Sequence, residues 1–280
     1  RYFLKLLGNP DKKMKFVHIA GTSGKGTVTN IVHEILNARG TKVGSFTSPS
    51  VITSIEKIKV KHKYISPDEF ADIVDYLKPF IDEAYREGPY GRPSSFEIFL
   101  AIALVYFKKQ KCEWVILEVG LGGRYDATNV IEKPLVTAIT NIDYDHTEIL
   151  GKTLKKIAYD KAGIIKQESV VFTTEQRSSL LEIFNKTCKE KHVSLCALPR
   201  QDNYQKYNKE LATTIARHLK ISERYITQGT RRARLACRFE MMQAMPTVIL
   251  DGAHNRSKIK TTIDNLKKIK FKKLFYVERD

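Results

Sequence analysis

A glycine-rich segment follows the first apolar run of the sequence, and its residue types suit the binding of phosphate. The stretch reads FVHIAGTSGKGTVTNIVHEIL. Gly21, Gly24 and Gly26 allow backbone N–H groups to approach an anion closely, Lys25 supplies a positive charge, and the Thr27 hydroxyl can bind Mg²⁺. These residues together predict a polyphosphate-binding loop at the start of a helix.

The spacing of this loop departs from the strict phosphate-loop pattern. That pattern has a glycine, four further residues and then Gly-Lys-Ser/Thr, whereas here Ile19 holds the position of the first glycine and Gly26 separates Lys25 from Thr27. A purely structural turn is the alternative interpretation of three glycines in a loop. The lysine and the threonine together favour the phosphate loop.

Three further side chains are candidates for metal or phosphate chemistry, and each has a simpler alternative. Glu118 ends a buried-type strand before a glycine-rich turn, where ligands of open α/β sheets collect, although a lone Glu there is more often a solvated rim residue. His146 follows another strand, and a neutral imidazole suits a metal ion, whereas an isolated His is more often structural. Lys161 as an ammonium ion would repel Mg²⁺ unless it contacts only phosphate, and a solvent-facing lysine is the alternative.

Strands and helices alternate along most of the chain. Apolar runs predict strands within residues 14–20, 42–50, 112–120, 135–142 and 169–174. Helical spacing and helix-start signals predict helices within residues 28–36, 66–85, 94–109, 153–166 and 204–219. This alternation predicts the α/β class, with a mostly parallel sheet covered by helices on both faces.

The pattern changes near the end of the chain and predicts a second domain. A basic, weakly patterned stretch reaches Met245, and TVILDGAH then opens a new strand–turn–helix unit. We expect a phosphate-loop domain over residues 1–244 and the beginning of a second α/β domain over residues 245–280. One strand, one helix and part of another strand cannot close a core, so the second domain is expected to be incomplete.

The composition is that of a globular protein with an excess of positive charge. Hydrophobic residues make up 42% of the 280 residues, and the longest nearly apolar run, FLAIALVYF, is about half of the roughly 20 residues that cross a bilayer. The N-terminal segment lacks the apolar core of a secretion signal and the four cysteines have no zinc-binding spacing, so we expect a cytoplasmic protein. The net charge of +17 suits nucleic acid, a membrane surface or anionic small molecules.

Further motifs accompany the loop along nearly the whole chain. In order they are GTSGKGT, SPSVITSIEKI, SSFEIFLAIALVYF, LEVGLGGRYDATN, DYDHTEILGKTLKKIAYDKAGIIK, YQKYNKELA, CRFE and LDGAHN. The ordered set resembles that of the folylpolyglutamate and dihydrofolate synthases, a branch of the Mur ligase superfamily. In that branch an extra glycine separates the loop lysine from the hydroxyl residue, which accounts for the spacing here. The resemblance implies a Mur-ligase-type P-loop ATP-binding domain over residues 1–244 and the beginning of a Rossmann-like ligase domain over residues 245–280.

The resemblance also implies a site for ATP and two Mg²⁺ ions. Thr27, Ser48 and Glu118 would hold the ion that bridges the ATP phosphates, and His146 would bind a second ion. In the family the lysine that matches Lys161 carries a carbamate derived from CO₂, which turns a cation into an oxygen ligand. Here the motif reads DKAG in place of EKAG.

The remaining site residues are assigned by the same resemblance. Catalytic roles are expected for Lys25, His146 and Lys161. Nucleotide binding is expected from Thr22, Ser23, Gly24, Lys25, Gly26, Thr27, from Asn208 toward adenine, Arg238 on phosphate, Asp251 toward the ribose and His254 near the triphosphate. Binding of the pterin-side substrate is expected from Ser94, Ser95, Phe96, Glu97 and Asp126. Ser50 and Ser94 stand where the family usually has His and Thr, and both lie in substrate-facing motifs.

The implied function is an ATP-dependent ligase that adds L-glutamate to a folate or dihydropteroate carboxylate through an acyl phosphate. Dihydropteroate, a folate that already carries glutamate, or both remain open as the acceptor. One alternative is another Mur-type ligase acting on a cell-wall precursor, against which Gly26 and EVGLGGRYDATN argue. A P-loop ATPase that binds nucleic acid is a second alternative, suggested only by charge. We expect small-molecule substrates, no nucleic-acid or membrane partner, and a monomer.

Overall fold

The chain divides into two units, Arg1–Arg234 and Leu235–Asp280. A computed structural model of the protein describes residues 1–201, 204–234, 237, 239–253 and 256–277. The boundary comes earlier than the one expected at residue 244, because the strand Glu240–Ala244 pairs with Thr247–Leu250 and belongs to the second unit.

The described residues form ten helices and ten strands. The helices are α1 Tyr2–Leu6, α2 Lys25–Ala38, α3 Pro67–Glu87, α4 Ser95–Lys109, α5 Thr147–Leu150, α6 Leu154–Ala162, α7 Ser178–Lys191, α8 Tyr204–His218, α9 Glu223–Arg232 and α10 Arg256–Leu266. The strands are β1 Lys15–Ala20, β2 Val43–Phe46, β3 Ile58–Val60, β4 Lys63–Tyr64, β5 Trp114–Glu118, β6 Val136–Ile139, β7 Val170–Thr173, β8 Leu195–Ala197, β9 Glu240–Ala244 and β10 Thr247–Leu250. Single turns of 3₁₀ helix lie at Ser54–Lys57 and Ala127–Val130.

The first unit is built on an eight-stranded sheet with the order β4-β3-β2-β5-β1-β6-β7-β8. Its six strands from β2 to β8 in this order run parallel, and β3 and β4 add an antiparallel edge. The mostly parallel sheet expected from the sequence is therefore confirmed. β1 lies between β5 and β6, with Ile19 opposite Glu118 and Ala20 opposite Ile139. The loops that follow these three strands consequently meet at one edge of the sheet.

Helices cover both faces of this sheet because successive side chains of each strand point to opposite sides. Val115 and Leu117 of β5 pack in a buried cluster with the apolar residues of α3 and α4. Ile116, between them, packs with α2, α8 and α9 in a second cluster. A third cluster joins β6 and β7 to α6 and α7.

The helix α9 was not expected from the sequence, and its packing explains why. It lies against α2 through Gly229, where an added Cβ would come 2.3 Å from the Cα of Ile35. Among its described residues only Ile226 and Gly229 are buried. A helix that makes its contact through a glycine lacks the apolar periodicity by which helices are recognised.

The second unit contains a hairpin of β9 and β10 followed by α10. The expected strand–turn–helix is present as β10 and α10, but β10 runs antiparallel to β9. Over the part of this unit that the structure describes, the sheet has two strands, so the Rossmann-like assignment stays a prediction.

Within the described residues, no helix is both long and apolar enough to cross a membrane.

Candidate active site

The loop between β1 and α2 can be formed only with glycine at two positions. Gly21 has φ +140°, and an added Cβ would lie 1.7 Å from the Oγ1 of Thr140. Gly24 has φ +91°, a left-handed conformation that β-carbon-bearing residues rarely adopt, and it directly precedes the first turn of α2. The first turn of α2 itself carries no acidic residue, so no carboxylate of the helix occupies the backbone N–H groups at its positive end.

Residues that follow β6 hold this loop in place. The backbone nitrogen of Thr22 donates to the carbonyl of Asn141 at 2.9 Å, and that of Ser23 donates to Asn141 Oδ1 at 3.0 Å. The Thr22 hydroxyl accepts from the backbone nitrogen of Asp143 at 2.9 Å. Asn141 and Asp143 were not among the sequence-based candidates. Their position directly after a parallel strand beside β1 is the signal that identifies them.

Lys25 lies in the first turn of α2, and its side chain returns over the loop. Its Nζ donates to the carbonyl oxygen of Gly21 at 3.1 Å. The charge of Lys25 thus lies directly above the glycine loop, beside the helix N-terminus that also contains Gly26 and Thr27. This arrangement can bind a polyphosphate through backbone N–H groups, a helix dipole and one ammonium group.

Asn208 reaches the same loop from α8, far away in the sequence. A Cβ on Gly24 would lie 2.3 Å from Asn208 Oδ1, which shows how closely the amide approaches the loop backbone. The structure therefore brings Asn208 to the phosphate loop.

Glu118 provides a buried carboxylate beside the loop, at the carboxyl end of β5. Its side chain is 4% exposed, and its Oε2 accepts from the backbone nitrogen of Ser48 at 3.3 Å. A Cβ on Gly26 would lie 3.3 Å from the same oxygen. Glu118, Ser48 and the first turn of α2 with Thr27 are thus neighbours.

The donors in this region suit Mg²⁺ more than a metal that needs a protein cage. The described residues contain no group of three or more His, Cys, Asp and Glu side chains placed to bind a metal. Mg²⁺ is typically held by one or two carboxylates together with water and substrate phosphates. One buried carboxylate, Glu118, next to the hydroxyl-bearing Thr27 and Ser48 and to a phosphate loop fits that requirement.

Lys161 is buried near the end of α6, which excludes the solvent-facing alternative. It is 4% exposed. Burial lowers its pKa to about 7, and the charge of Lys25 acts in the same direction, while Asp160, Asp145 and Asp126 oppose the shift. A large share of the side chain is therefore the neutral amine near neutral pH.

His146 occupies the turn just before α5 and is half exposed. It has φ +47°, and 50% of its side chain is accessible to solvent. Its Nδ1 lies 3.6 Å from Glu148 Oε1, and its Nε2 lies 3.9 Å from Asp145 Oδ1. Its place after β6 at the active edge of the sheet agrees with the expectation, whereas its role as a metal ligand stays a prediction.

The SSFE motif begins a helix, and two of its side chains form the helix cap. Ser94 Oγ accepts from the backbone nitrogen of Glu97 at 3.3 Å, and Glu97 Oε2 accepts from the backbone nitrogen of Ser94 at 2.8 Å. Serine and threonine both serve at this position of a capping box, so Ser94 in place of the family's Thr preserves the cap. Ser95 is the first residue of α4.

Phe96 and Asp126 face the same glycine. A Cβ on Gly120 would lie 2.6 Å from the Phe96 ring and 3.1 Å from Asp126 Oδ2. The Asp126 carboxylate also fixes its own loop, because Oδ2 accepts from the backbone nitrogen of Leu121 and Oδ1 from that of Thr128, both at 2.9 Å. An aromatic ring beside a carboxylate can recognise a flat heterocycle that carries N–H groups.

The residues expected from the second unit are described only in part. Arg238 and His254 lie outside the described residues. Asp251 Oδ2 accepts from the backbone nitrogen of Phe239 at 2.6 Å, and its Oδ1 accepts from Ala253 and from the Thr262 hydroxyl. Asp251 thus organises the turn after β10. Its contact with ribose stays a prediction.

The chain is similar in sequence to known proteins. Residues 87–228 match the Mur ligase middle domain. A dihydrofolate synthase/folylpolyglutamate synthase of Bacillus subtilis is 35% identical, with 93% of this chain and 69% of the relative covered.

Two solved structures are similar over nearly the whole chain. The folylpolyglutamate synthase of Thermotoga maritima is 31% identical with a TM-score of 0.84, and 95% of this chain and 69% of that chain are covered. The folylpolyglutamate synthase of Mycobacterium tuberculosis, solved with ADP and AMPPCP, is 26% identical with a TM-score of 0.88 and the same coverage, 95% and 69%.

Proposed function

The chain belongs to the folylpolyglutamate synthase and dihydrofolate synthase family, and from this premise we propose that it is an ATP-dependent ligase that joins L-glutamate to a folate or dihydropteroate carboxylate. The observation that carries the proposal is the meeting of three groups at one sheet edge. These are the phosphate loop with Lys25, the buried carboxylate of Glu118 and the buried amine of Lys161, whose pKa is lowered by burial and by Lys25. Small molecules are its proposed substrates.

ATP is proposed to place its phosphates on the backbone N–H groups of residues 22–27. Lys25 would leave the Gly21 carbonyl, 3.1 Å away in the structure, and turn to the phosphates. Asn208, which lies against Gly24, is proposed to contact the adenine base. Arg238, Asp251 and His254 are also proposed to bind the nucleotide.

Two Mg²⁺ ions are proposed to accompany the nucleotide. Thr27, Ser48 and Glu118 would hold one ion, and His146 with the modified Lys161 would hold the other. When bound, Mg²⁺ would neutralise negative charge on the phosphoryl group that is transferred. Glu118 would keep its side chain in place through the hydrogen bond from the Ser48 backbone nitrogen.

Lys161 is proposed to carry a carbamate. A neutral amine attacks CO₂, the new N–C bond forms and one proton is released to solvent, which leaves a carboxylate-like group on nitrogen. An ordinary exposed lysine is almost wholly protonated near neutral pH, whereas the pKa of Lys161, lowered to about 7, provides the neutral amine. The negative carbamate would also relieve the repulsion between Lys161 and Lys25.

The acceptor is proposed to lie along the loop after β5. The Phe96 ring and Asp126 Oδ2, which face the same side of Gly120, would bind the heterocycle. The acceptor carboxylate would then attack the γ-phosphorus of ATP, giving an acyl phosphate and ADP. The glutamate amine attacks the acyl carbon, the amide bond forms and phosphate leaves. The chain's contribution is to position these groups and offset their charge.

The proposal is tested by measuring ADP release with a pteroate-type acid and with L-glutamate, separately and together. ADP release is expected to need both substrates in the unmodified chain and to disappear in Lys25→Met. Lys78→Met provides a matched control, because Lys78 is a surface lysine with 67% of its side chain exposed. ATP hydrolysis stimulated by polynucleotide, with binding that weakens steeply as salt rises, would instead support a nucleic-acid-binding ATPase.

The carbamate has a readout that does not depend on activity. With ¹³C-labelled bicarbonate, the protein is expected to show a carbamate carbon signal that is absent in Lys161→Ala and present in Lys166→Ala. Lys166 is the control because burial also lowers its pKa. A short carboxylic acid is expected to restore turnover to Lys161→Ala, whereas full activity of that variant without supplement would discard the modification.

A further inference from the structure

A buried histidine in the central strand has no role in the proposed chemistry. His18 of β1 is 0% exposed and lies three residues before the phosphate loop begins at Gly21. Burial lowers its pKa to about 3, with the charge of Lys166 as a lesser cause, so the imidazole is neutral near neutral pH. A buried polar ring in a sheet core is costly unless its hydrogen bonds are used.

A chain of hydrogen bonds connects His18 to the acceptor side of the site. Its Nε2 lies 2.8 Å from the hydroxyl oxygen of Thr128. That hydroxyl contacts Oδ1 of Asp126 as a donor. Asp126 Oδ2 accepts from the backbone nitrogen of Leu121 at 2.9 Å and faces Gly120 beside the Phe96 ring.

The proton count fixes the direction of these bonds. A hydroxyl group has a single proton, and a carboxylate oxygen can only accept. The Thr128 proton is therefore used on Asp126, and the Thr128 oxygen must accept from His18, which places the imidazole proton on Nε2. Nδ1 of His18 is then unprotonated, in agreement with its having no hydrogen-bond partner among the described residues.

The other tautomer would break the chain. With the proton on Nδ1, Nε2 would accept the Thr128 proton, and the hydroxyl oxygen and Asp126 Oδ1 would face each other as two acceptors without a proton between them. The Nδ1–H group would also be a buried donor without an acceptor, which costs more than an unused acceptor. The surroundings of His18 thus select one tautomer, and that tautomer directs the Thr128 hydroxyl.

We propose that His18 is a positioning residue for the acceptor site, which orients the Thr128 hydroxyl and through it the Asp126 carboxylate beside Phe96. This inference rests on the proposed function, because it assigns His18 an effect on the acceptor and none on ATP. Asp126 accepts from a backbone N–H group at each oxygen, and the bond from the Thr128 hydroxyl adds a third restraint on the carboxylate. Oδ2 of this restrained group faces Gly120.

Paired variants separate this role from simple structural support. His18→Leu removes the donor at similar volume, and His18→Gln keeps an N–H group at about the position of Nε2. Thr128→Val removes the hydroxyl, and Thr128→Ser keeps it. His18→Leu and Thr128→Val are expected to raise the KM for the acceptor by about tenfold with the KM for ATP unchanged, as outer-shell partners of a binding residue do. His18→Gln and Thr128→Ser are expected to stay within about twofold of the unmodified protein.

A second buried histidine provides a matched control. His33 of α2 is 0% exposed, its Nε2 lies 2.6 Å from the carbonyl of Lys61, and its Nδ1 has no partner among the described residues. Burial also lowers its pKa, to about 4. His33→Leu is expected to lower the Tm as much as His18→Leu and to leave the KM for the acceptor unchanged. Equal changes of KM in both variants would show a general effect of losing a buried histidine and would reject the proposal.

The tautomer itself can be observed without turnover. In protein labelled with ¹⁵N at its seven histidines, two imidazoles, those of His18 and His33, are expected to remain neutral with the proton on Nε2 from about pH 8 to about pH 5. One of these two signals is expected to vanish in His18→Gln and the other in His33→Leu. A proton on Nδ1 of His18 would overturn the proposal even if every variant folds and turns over.

The two proposals fail in distinguishable ways. If the unmodified chain releases no ADP in response to acceptor and glutamate, the ligase function is rejected and the acceptor role of His18 is rejected with it. If it turns over normally and His18→Leu and Thr128→Val leave the KM for the acceptor unchanged, only the role of His18 is rejected. A double variant His18→Leu/Thr128→Val with no greater effect than either single variant would confirm that the two act in one chain.

Discussion

The Oε2 of Glu118 lies 3.3 Å from the backbone nitrogen of Ser48, and this hydrogen bond joins the ends of two neighbouring parallel strands, β5 and β2. The bond keeps one carboxylate oxygen beside the phosphate loop. It uses a backbone donor, which a substitution of Ser48 would not remove. Position and charge of Glu118 can therefore be tested separately.

Glu118→Gln is expected to reduce turnover by about 100-fold or more, because an amide oxygen can accept from Ser48 but binds Mg²⁺ poorly. The Tm is expected to change little, since the size of the side chain and its hydrogen bond are preserved. Steady-state ADP release over a range of Mg²⁺ concentrations measures the effect.

Glu113→Gln is the matched control for this prediction. Glu113 precedes the same strand, is exposed and lies 3.3 Å from Lys15 Nζ. An exposed ion pair of this kind contributes about 0 to 1 kcal/mol. Turnover as poor in Glu113→Gln as in Glu118→Gln would mean that the carboxylate at the sheet edge has no special role.

Gly24→Ala is expected to weaken ATP binding, and Gly40→Ala is not. The two glycines have nearly the same backbone, with φ +91° and φ +90°. Both variants therefore lose stability from left-handed strain, about 1 kcal/mol each. Only at Gly24 does the new Cβ meet a neighbour, Asn208 at 2.3 Å, whereas no described atom lies within 4 Å at Gly40.

Calorimetric titration with ATP and urea unfolding measure the two effects of these glycine variants. If both variants lose the same ATP affinity, the cause is backbone strain at the ends of α2 and not the contact with Asn208. An affinity preserved in both would show that Asn208 can move aside without consequence for the nucleotide.

Lys161→Met is expected to stabilise the protein below pH 7 in buffer free of CO₂. The pKa of Lys161 is lowered from 10.5 to about 7, so the folded state disfavours the charged amine. Between these two pH values the unfolded chain binds a proton that the folded protein does not, so the free energy of unfolding rises with pH and is lowest below about 7. Methionine removes this cost, on the order of a few kcal/mol.

Urea unfolding of Lys161→Met and of the unmodified protein at about pH 6 and about pH 10 tests this prediction. Other groups titrate equally in both proteins, so the difference between their free energies of unfolding isolates Lys161. The advantage of Lys161→Met is expected to shrink as pH rises. An advantage independent of pH would mean that packing, and not the buried charge, separates the two proteins.

Glu175→Gln is expected to destabilise the protein by about 1–3 kcal/mol at neutral pH and to weaken ATP binding. The buried Glu175 Oε2 accepts from the backbone nitrogen of Ile142 at 3.1 Å, and Arg177 donates to both Glu175 and the Ile142 carbonyl. Ile142 lies between Asn141 and Asp143, which hold the phosphate loop.

The pH dependence of Glu175 has a defined sign. Burial raises its pKa, but hydrogen bonds from Arg177 and from backbone N–H groups outweigh burial and hold the pKa below 4.5. Its stabilisation is therefore present above that pH and lost as pH falls through the lower folded value. At acid pH, the free energies of unfolding of Glu175→Gln and of the unmodified protein are expected to become equal. Glu223→Gln is expected to change stability much less at any pH, because solvent screens the exposed pair of Glu223 with Arg217.

The sequence is sufficient for five of the eight strands of the sheet and for the loop, because these depend on local patterns. The short strands β3, β4 and β8 carry no long apolar run and were not predicted. The apolar runs predicted β1, β2, β5, β6 and β7, and the glycine spacing placed the turn before α2. The capping box that starts α4 is local too, and Ser94 and Glu97 form it. The contact of these two residues with the substrate stays a prediction.

Local sequence patterns do not predict contacts between distant segments. The approach of Asn208 to Gly24 depends on where α8 packs. The burial of Lys161 depends on tertiary packing, and so does the chain from His18 to Asp126, which crosses from β1 to the loop after β5. A local pattern records which face of a helix is apolar, but not which polar group another element brings to it.

The central place of β1 has a consequence for biosynthesis. During translation β1 leaves the ribosome before both of its partners, because β5 and β6 come about a hundred residues later. The unpaired backbone groups of β1 and its apolar side chains therefore stay uncovered on the nascent chain until those strands emerge, and chaperones bind surfaces of this kind. Nucleotide cannot assist this stage, because the loop is completed only after β6 and Asn141 have arrived. Any stabilisation by bound nucleotide therefore begins only after β6 has paired with β1.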